Sequence, residues 1–131
     1  MTFMYSGNVT SEIASVCDFV SQLVEELESR VDFELAMDLR LILSELMING
    51  CEHGNENDRR KLVYIDFILE DDFIELIVRD EGGGFCLEEN TKWKEDLRSS
   101  GRGLKLVSGL CDEFFVRDSE VVCRIHRKKE R

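Results

Sequence analysis

Residues 62–79 read LVYIDFILEDDFIELIVR, and this stretch decides the fold class. Val63, Ile65, Phe67 and Leu69 alternate with Tyr64, Asp66 and Ile68, the period of a strand with one buried face. The acidic triplet Glu70, Asp71 and Asp72 makes a tight turn, and a second apolar run follows from Phe73 to Arg79. The segment reads as an antiparallel hairpin. Upstream the period is helical. Ile13, Val16, Val20, Leu23, Val24 and Leu27 recur at helical spacing, with Thr10 or Ser11 available as the cap. A second helix starts at Asp32 and runs to about Cys51 on the stripe Leu35, Leu39, Ile42, Leu43, Leu46 and Met47. Ahead of both, residues Met1 to Tyr5 read as a short strand, with Ser6, Gly7 and Asn8 as the turn after it.

Downstream, Leu87 to Ser100 is polar and irregular, Leu104 to Leu110 reads as a short buried helix, and Glu113 to Arg117 and Val121 to Ile125 as two more strands. Helices grouped before and between antiparallel strands predict an α/β fold of the α+β two-layer type. Its sheet is expected to be mixed and mostly antiparallel, with helices on one face. The strict βαβ alternation of a Rossmann sheet is missing.

The 131 residues are 43% hydrophobic and 34% charged, the mixture of one globular domain spanning 1–131. No apolar run exceeds four residues, which excludes a transmembrane helix. The first Lys or Arg is Arg30 and no apolar segment precedes it, so the reading is cytoplasmic, with no membrane contact. The net charge is −11, although residues 124–131 form a basic tail with five Lys or Arg against Glu130. The rest of the surface is therefore strongly acidic and repels a phosphate backbone, which argues against direct nucleic-acid binding. Five cysteines at 17, 51, 86, 111 and 123 form no C-x-x-C pair and fit buried thiols in a reducing compartment.

Three features carry chemistry. Glu45, Asn49 and His53 are spaced four apart and share one face of the second helix, flanked by Asp38 and Glu52. A carboxylate and a carboxamide on one face suit a hard cation such as magnesium. Spacing alone favours a solvated helix face, and His53 with Gly54 reads equally as a helix C-cap. The second feature is Asp80-Glu81-Gly82-Gly83-Gly84-Phe85 at a strand end. Glycines there let a ligand approach the backbone, and the aspartate can accept from an exocyclic amine of the adenine type; a flexible turn explains the glycines almost as well. The third is Ser99-Ser100-Gly101-Arg102-Gly103-Leu104, a glycine-rich turn opening a helix and so an anion site. Its spacing is not that of a Walker A loop.

In this order the features resemble the N box and the two glycine boxes of the GHKL ATPase superfamily, whose nucleotide site is the Bergerat fold. The resemblance runs from the second helix to the last strand. It is strongest to the bacterial anti-sigma-factor serine kinases, which the run Cys111-Asp112-Glu113-Phe114 also resembles. The resemblance implies ATP and magnesium as cofactors. It implies that Asn49 is the magnesium ligand and Glu45 the general base for a serine hydroxyl. Asp80 then binds the adenine amine, with Gly82 and Gly84 shaping the wall and His53 inside the N box. Gly101, Arg102, Gly103 and Leu104 meet the phosphates, and residues 86–100 form a lid containing Trp93, whose ordinary role is packing. Two positions depart from the family pattern. Gly83 stands where proline is frequent, and Val121 stands where a threonine commonly helps hold adenine.

The function this resemblance implies is an anti-sigma factor that phosphorylates a small anti-anti-sigma partner. Its partners would be a sigma factor and that antagonist protein, and a homodimer is permitted by the apolar first helix. The alternatives are a nucleotide-binding adaptor of the same superfamily without kinase activity, and an ATPase without a protein substrate. A sensor histidine kinase is disfavoured, because the only histidines are His53 and His126.

Overall fold

A computed structural model describes residues 2–82 and 102–127. In chain order the elements are β1 (Phe3–Thr10), α1 (Ile13–Leu27), α2 (Phe33–Asn49) and a π-helical turn (Gly50–Gly54). Then come β2 (Leu62–Leu69), β3 (Phe73–Arg79), α3 (Arg102–Leu110), β4 (Glu113–Arg117) and β5 (Glu120–His126). The strands form one sheet in the order β1-β2-β3-β5-β4. All four pairings are antiparallel, so the expected mixed component has no counterpart among the described residues.

The alternation in residues 62–79 is what orients the sheet. Val63, Ile65, Phe67 and Leu69 of β2, with Ile74, Leu76 and Val78 of β3, are buried on one face. Against them lie Val16, Val20, Leu23, Val24 and Leu27 of α1 and Leu39, Ile42, Leu43, Leu46 and Met47 of α2. The two helices cover that face because each presents its apolar stripe to it. The hairpin turn closes through Glu70 N donating to Phe73 O at 2.8 Å. α2 starts where expected: the Asp32 carboxylate accepts from Leu35 N at 2.8 Å, capping the first turn. α3 packs on α2 through Leu104 and Val107, while Leu106 is exposed, so α3 is amphipathic rather than wholly buried.

Several local expectations give way to tertiary pairing. The turn expected at Ser6, Gly7 and Asn8 is strand: β1 runs through it in register with Asp66, Ile65 and Tyr64 of β2. A Cβ at Gly7 would stand 2.6 Å from the hydroxyl of Tyr5, whose ring lies over it, so a side chain there would displace that ring. Neither Thr10 nor Ser11 caps α1, whose N-cap is Glu12, its carboxylate accepting from Ser15 Oγ rather than from a backbone N–H of the first turn. Their hydroxyls instead donate to the 55–61 connection, Thr10 Oγ1 to Arg59 O at 2.6 Å and Ser11 Oγ to Lys61 O at 2.8 Å. β5 covers the strand expected over Val121 to Ile125 and extends one residue beyond each end, so the basic stretch from residue 124 begins within the sheet. Arg124 pairs there with Glu75 and Glu113, and His126 Nε2 lies 2.9 Å from Glu113 Oε2. Among the described thiols Cys51 and Cys123 are buried as expected, Cys111 is half-buried and Cys17 is exposed. No described helix is long and apolar enough to cross a membrane.

Candidate functional site

The ends of α2 and β3 meet beside the start of β2. α2 carries Glu45 and Asn49 on successive turns, both half-buried. Asn49 Nδ2 donates to Glu45 O at 2.7 Å, which commits the amide nitrogen to the helix and leaves Oδ1 as the acceptor end. Beyond Asn49 the helix widens. Gly50–Gly54 is π-helical, and Asn55 N donates back to Gly50 O at 2.8 Å. The wider turn breaks the α-helical phase on which the four-residue spacing of Glu45, Asn49 and His53 relied. Glu45 and Asn49 come together, whereas His53 and Glu52 are exposed past the break. His53 and Gly54 do close the helical run, as the last two residues of the π-turn, with Asn55 in the cap position.

The widened turn delivers Gly54 against Asp80. A Cβ on Gly54 would collide with the Asp80 carboxylate, and a Cβ on Gly82 would collide with the Gly54 carbonyl. Only glycine fits at either position. Asp80 is held from three sides. Its N–H donates to Ser119 O at 3.0 Å, across the start of β5. Its Oδ1 accepts from Gly82 N at 2.9 Å, and its Cβ faces Gly50. Burial pushes the Asp80 carboxyl above its ordinary value, opposed by the Gly82 amide and by the positive charge of Lys61. A desolvated carboxylate at the rim of a glycine-walled step is an acceptor suited to a polar N–H donor.

One polar side chain inside this junction was not legible from the sequence. Asn55 is completely buried and ties three segments together. Its Oδ1 accepts from Glu81 N at 2.7 Å, and its Nδ2 donates to Ser11 Oγ at 2.8 Å and Leu62 O at 2.9 Å. Glu81 adds a further tie, its Oε2 accepting from Leu62 N at 2.7 Å. The only sequence signal for Asn55 and Gly54 is their position directly after the motif histidine.

The backbone of Arg102 and Gly103 opens α3, and Leu104 is buried beneath it. Gly84, Gly101, the side chain of Arg102 and the lid at 86–100 with Trp93 lie outside the described residues. A separate cleft of about 620 Å³ opens on the sheet face opposite α1 and α2, between Phe73, Arg124 and His126. It is on the side away from α2 and shares no residue with the junction.

Comparison with known proteins matches residues 8–125 to the histidine kinase-like ATPase domain. The chain is similar to the anti-sigma F factor of Geobacillus thermodenitrificans (strain NG80-2), 33% identical over 107 residues. That match covers 78% of this chain and 71% of the relative. It is 33% identical over 121 residues to the anti-sigma F factor of Geobacillus sp. (strain WCH70), with 88% and 78% covered. The same protein of Shouchella clausii (strain KSM-K16) is 32% identical over 116 residues, with 85% and 75% covered.

Proposed function

The chain belongs to the histidine kinase-like ATPase domain family, and from that premise we propose that it is an ATP-using anti-sigma factor and protein serine kinase. Its partners on this reading are a sigma factor, which it holds, and a small anti-anti-sigma protein, which it phosphorylates on a serine. The single observation that carries the nucleotide part is the contact of Gly54, Asp80 and Gly82, where a half-buried carboxylate is walled by residues without side chains. The sigma-factor part draws its support from relatives named anti-sigma F factor over most of their length.

The residues present fit ATP and magnesium: a carboxylate acceptor beside bare backbone for a base, and a free carboxamide oxygen one turn from a carboxylate for a hard cation. When bound, ATP supplies the phosphoryl group and magnesium neutralises its charge. Asp80 accepts the exocyclic amine of adenine, and the absence of side chains at Gly54 and Gly82 keeps that carboxylate in place. Gly84 extends the wall. Asn49 offers Oδ1 to magnesium because its Nδ2 is already engaged. Glu45 takes the proton of the incoming serine hydroxyl, a reading supported by its half-buried carboxylate one turn from Asn49. Gly101, Arg102, Gly103 and Leu104 meet phosphate at the start of α3, where backbone N–H groups point outward. His53 stands at the exposed rim. The domain is a single unit over 1–131, works in the cytoplasm, has residues 86–100 as its lid and is open to homodimer formation.

The test is incubation of the purified protein with radiolabelled ATP and candidate antagonist proteins. Label on a partner serine supports the kinase. Binding without any transfer points to an adaptor, and free phosphate alone to an ATPase without a protein substrate.

A further inference from the structure

We propose that Asn55 is a positioning residue that sets the adenine selectivity of the site, acting through the Glu81 amide on the neighbouring Asp80 carboxylate. The inference rests on the nucleotide reading above and assigns a task to a residue that does not itself touch the nucleotide.

A fully buried carboxamide is costly unless its bonds are made, and this one makes them all to different parts of the chain. Its backbone N–H closes the π-turn on Gly50 O. Nδ2 bridges the β1–α1 junction at Ser11 and the first residue of β2 at Leu62. That leaves Oδ1 fixed in direction, and it receives Glu81 N at 2.7 Å. Glu81 is the residue after Asp80, so this bond pins the backbone just where β3 has ended and the sheet no longer holds it. On the other side Asp80 N is pinned by Ser119 O at 3.0 Å. The peptide between Asp80 and Glu81 is therefore clamped between β5 and the π-turn. The carboxylate orientation over Gly54 follows from that clamp, because Gly54 is adjacent to Asn55 and moves with it. No other described side chain bonds to the Glu81 amide.

A hydrogen bond from a neutral amine to a carboxylate at such a site gives roughly ten- to hundredfold in affinity. Wild-type protein is therefore expected to prefer ATP over purine riboside triphosphate, which lacks the 6-amine, by at least about tenfold. The ratio of the two dissociation constants is the readout, since loss of folded protein weakens both nucleotides equally and leaves the ratio unchanged. Asn55→Ala is expected to bring the ratio to within about threefold of unity. Ser11→Ala removes a partner of Asn55 on the far side from Glu81, so it is expected to lower the melting temperature and keep the wild-type ratio. A wild-type ratio in folded Asn55→Ala overturns the proposal, as does equal collapse in Ser11→Ala. Should Asn55→Ala not fold, Asn55→Ser carries the test as the milder truncation, its hydroxyl being too short to reach the Glu81 amide: a ratio near unity supports the clamp and a wild-type ratio overturns it. Wild-type protein that binds neither nucleotide sinks the nucleotide reading itself, whereas wild-type selectivity that survives Asn55→Ala sinks only this inference.

Discussion

Gly54→Ala is the perturbation that best separates a nucleotide site from a mere turn. The new methyl would occupy the space of the Asp80 carboxylate, which has to rotate away and give up the Gly82 amide. Losing a hydrogen bond to a charged group costs about 1.5–3 kcal/mol. Part of this is returned, since alanine is better than glycine in a helical turn by up to about 1 kcal/mol. The rotated carboxylate also regains water, relieving the burial that pushes its pKa up. The net is about 1–2 kcal/mol, a fall in melting temperature of roughly 3–8 °C for a domain of this size. Affinity for ATP is expected to fall further in proportion, by roughly ten- to hundredfold, because the acceptor for the adenine amine has left its place.

Gly50→Ala is the matched control, four residues earlier in the same π-turn. Its methyl would meet Val63 Cγ1 at 3.4 Å and Asp80 Cβ at 3.8 Å, ordinary contact distances. Its melting temperature is expected to hold or rise, with ATP affinity within about threefold of wild type. Calorimetric titration with ATP and magnesium, paired with thermal melts, measures both quantities. ATP affinity in Gly54→Ala equal to that in Gly50→Ala would refute the assignment of Asp80 as the base-binding carboxylate.

Three further outcomes are expected. Burial raises the folded-state pKa of Asp80 above its ordinary 3.8, so the ionised group costs stability above that raised value and ceases to do so below 3.8. Asp80→Asn is therefore expected to melt at or above the wild-type temperature at neutral pH, with the gap closing as pH falls through that window, while ATP binding is lost; a lowered melting point at neutral pH contradicts the sign. Glu45→Gln is expected to bind ATP normally and transfer phosphate about 10²–10⁴-fold more slowly in a single-turnover assay, and transfer at wild-type speed removes Glu45 as the base. Asn49→Ala is expected to abolish the magnesium dependence of ATP affinity with stability changed by less than about 1 kcal/mol, and an unchanged dependence means that the cation is held elsewhere.

Elements governed by a regular period were legible from the sequence, and those governed by a neighbouring segment were not. The β2–β3 hairpin follows from alternation alone, and its turn falls on the expected residues. The Asp32 cap follows from its side chain and the helix pattern. By contrast, Ser6, Gly7 and Asn8 have turn chemistry but become strand, because β2 supplies partners along all of β1. The hydroxyls of Thr10 and Ser11 look like caps, yet the 55–61 connection competes for them and wins. In the candidate site, Glu45, Asn49 and Asp80 were readable because they belong to motifs of recognisable order. Gly54 and Asn55 were not, because their tasks exist only once the ends of α2 and β3 are in contact.

Most irregularities of the described chain share one junction. The π-turn at Gly50–Gly54, the positive φ of Glu56 (52°) and Asn57 (58°), the tight approaches at Gly54 and Gly82 and the desolvated Asp80 fall there. The remaining positive φ, Asp118 (51°) in the β4–β5 turn, is one residue from the Ser119 carbonyl that accepts from Asp80 N. A positive φ costs a residue such as glutamate energy that a regular loop would avoid. A buried acceptor with a raised pKa is likewise a liability to the free protein. Local conflicts of this kind persist where the surrounding structure holds them, and they concentrate at sites whose geometry serves something other than stability. The expected gain in melting temperature on Asp80→Asn expresses the same point: the carboxylate is retained at a cost to the fold, and its removal relieves the fold while ending nucleotide binding. On the proposed reading, a ligand N–H donating to Asp80 converts this local cost into affinity.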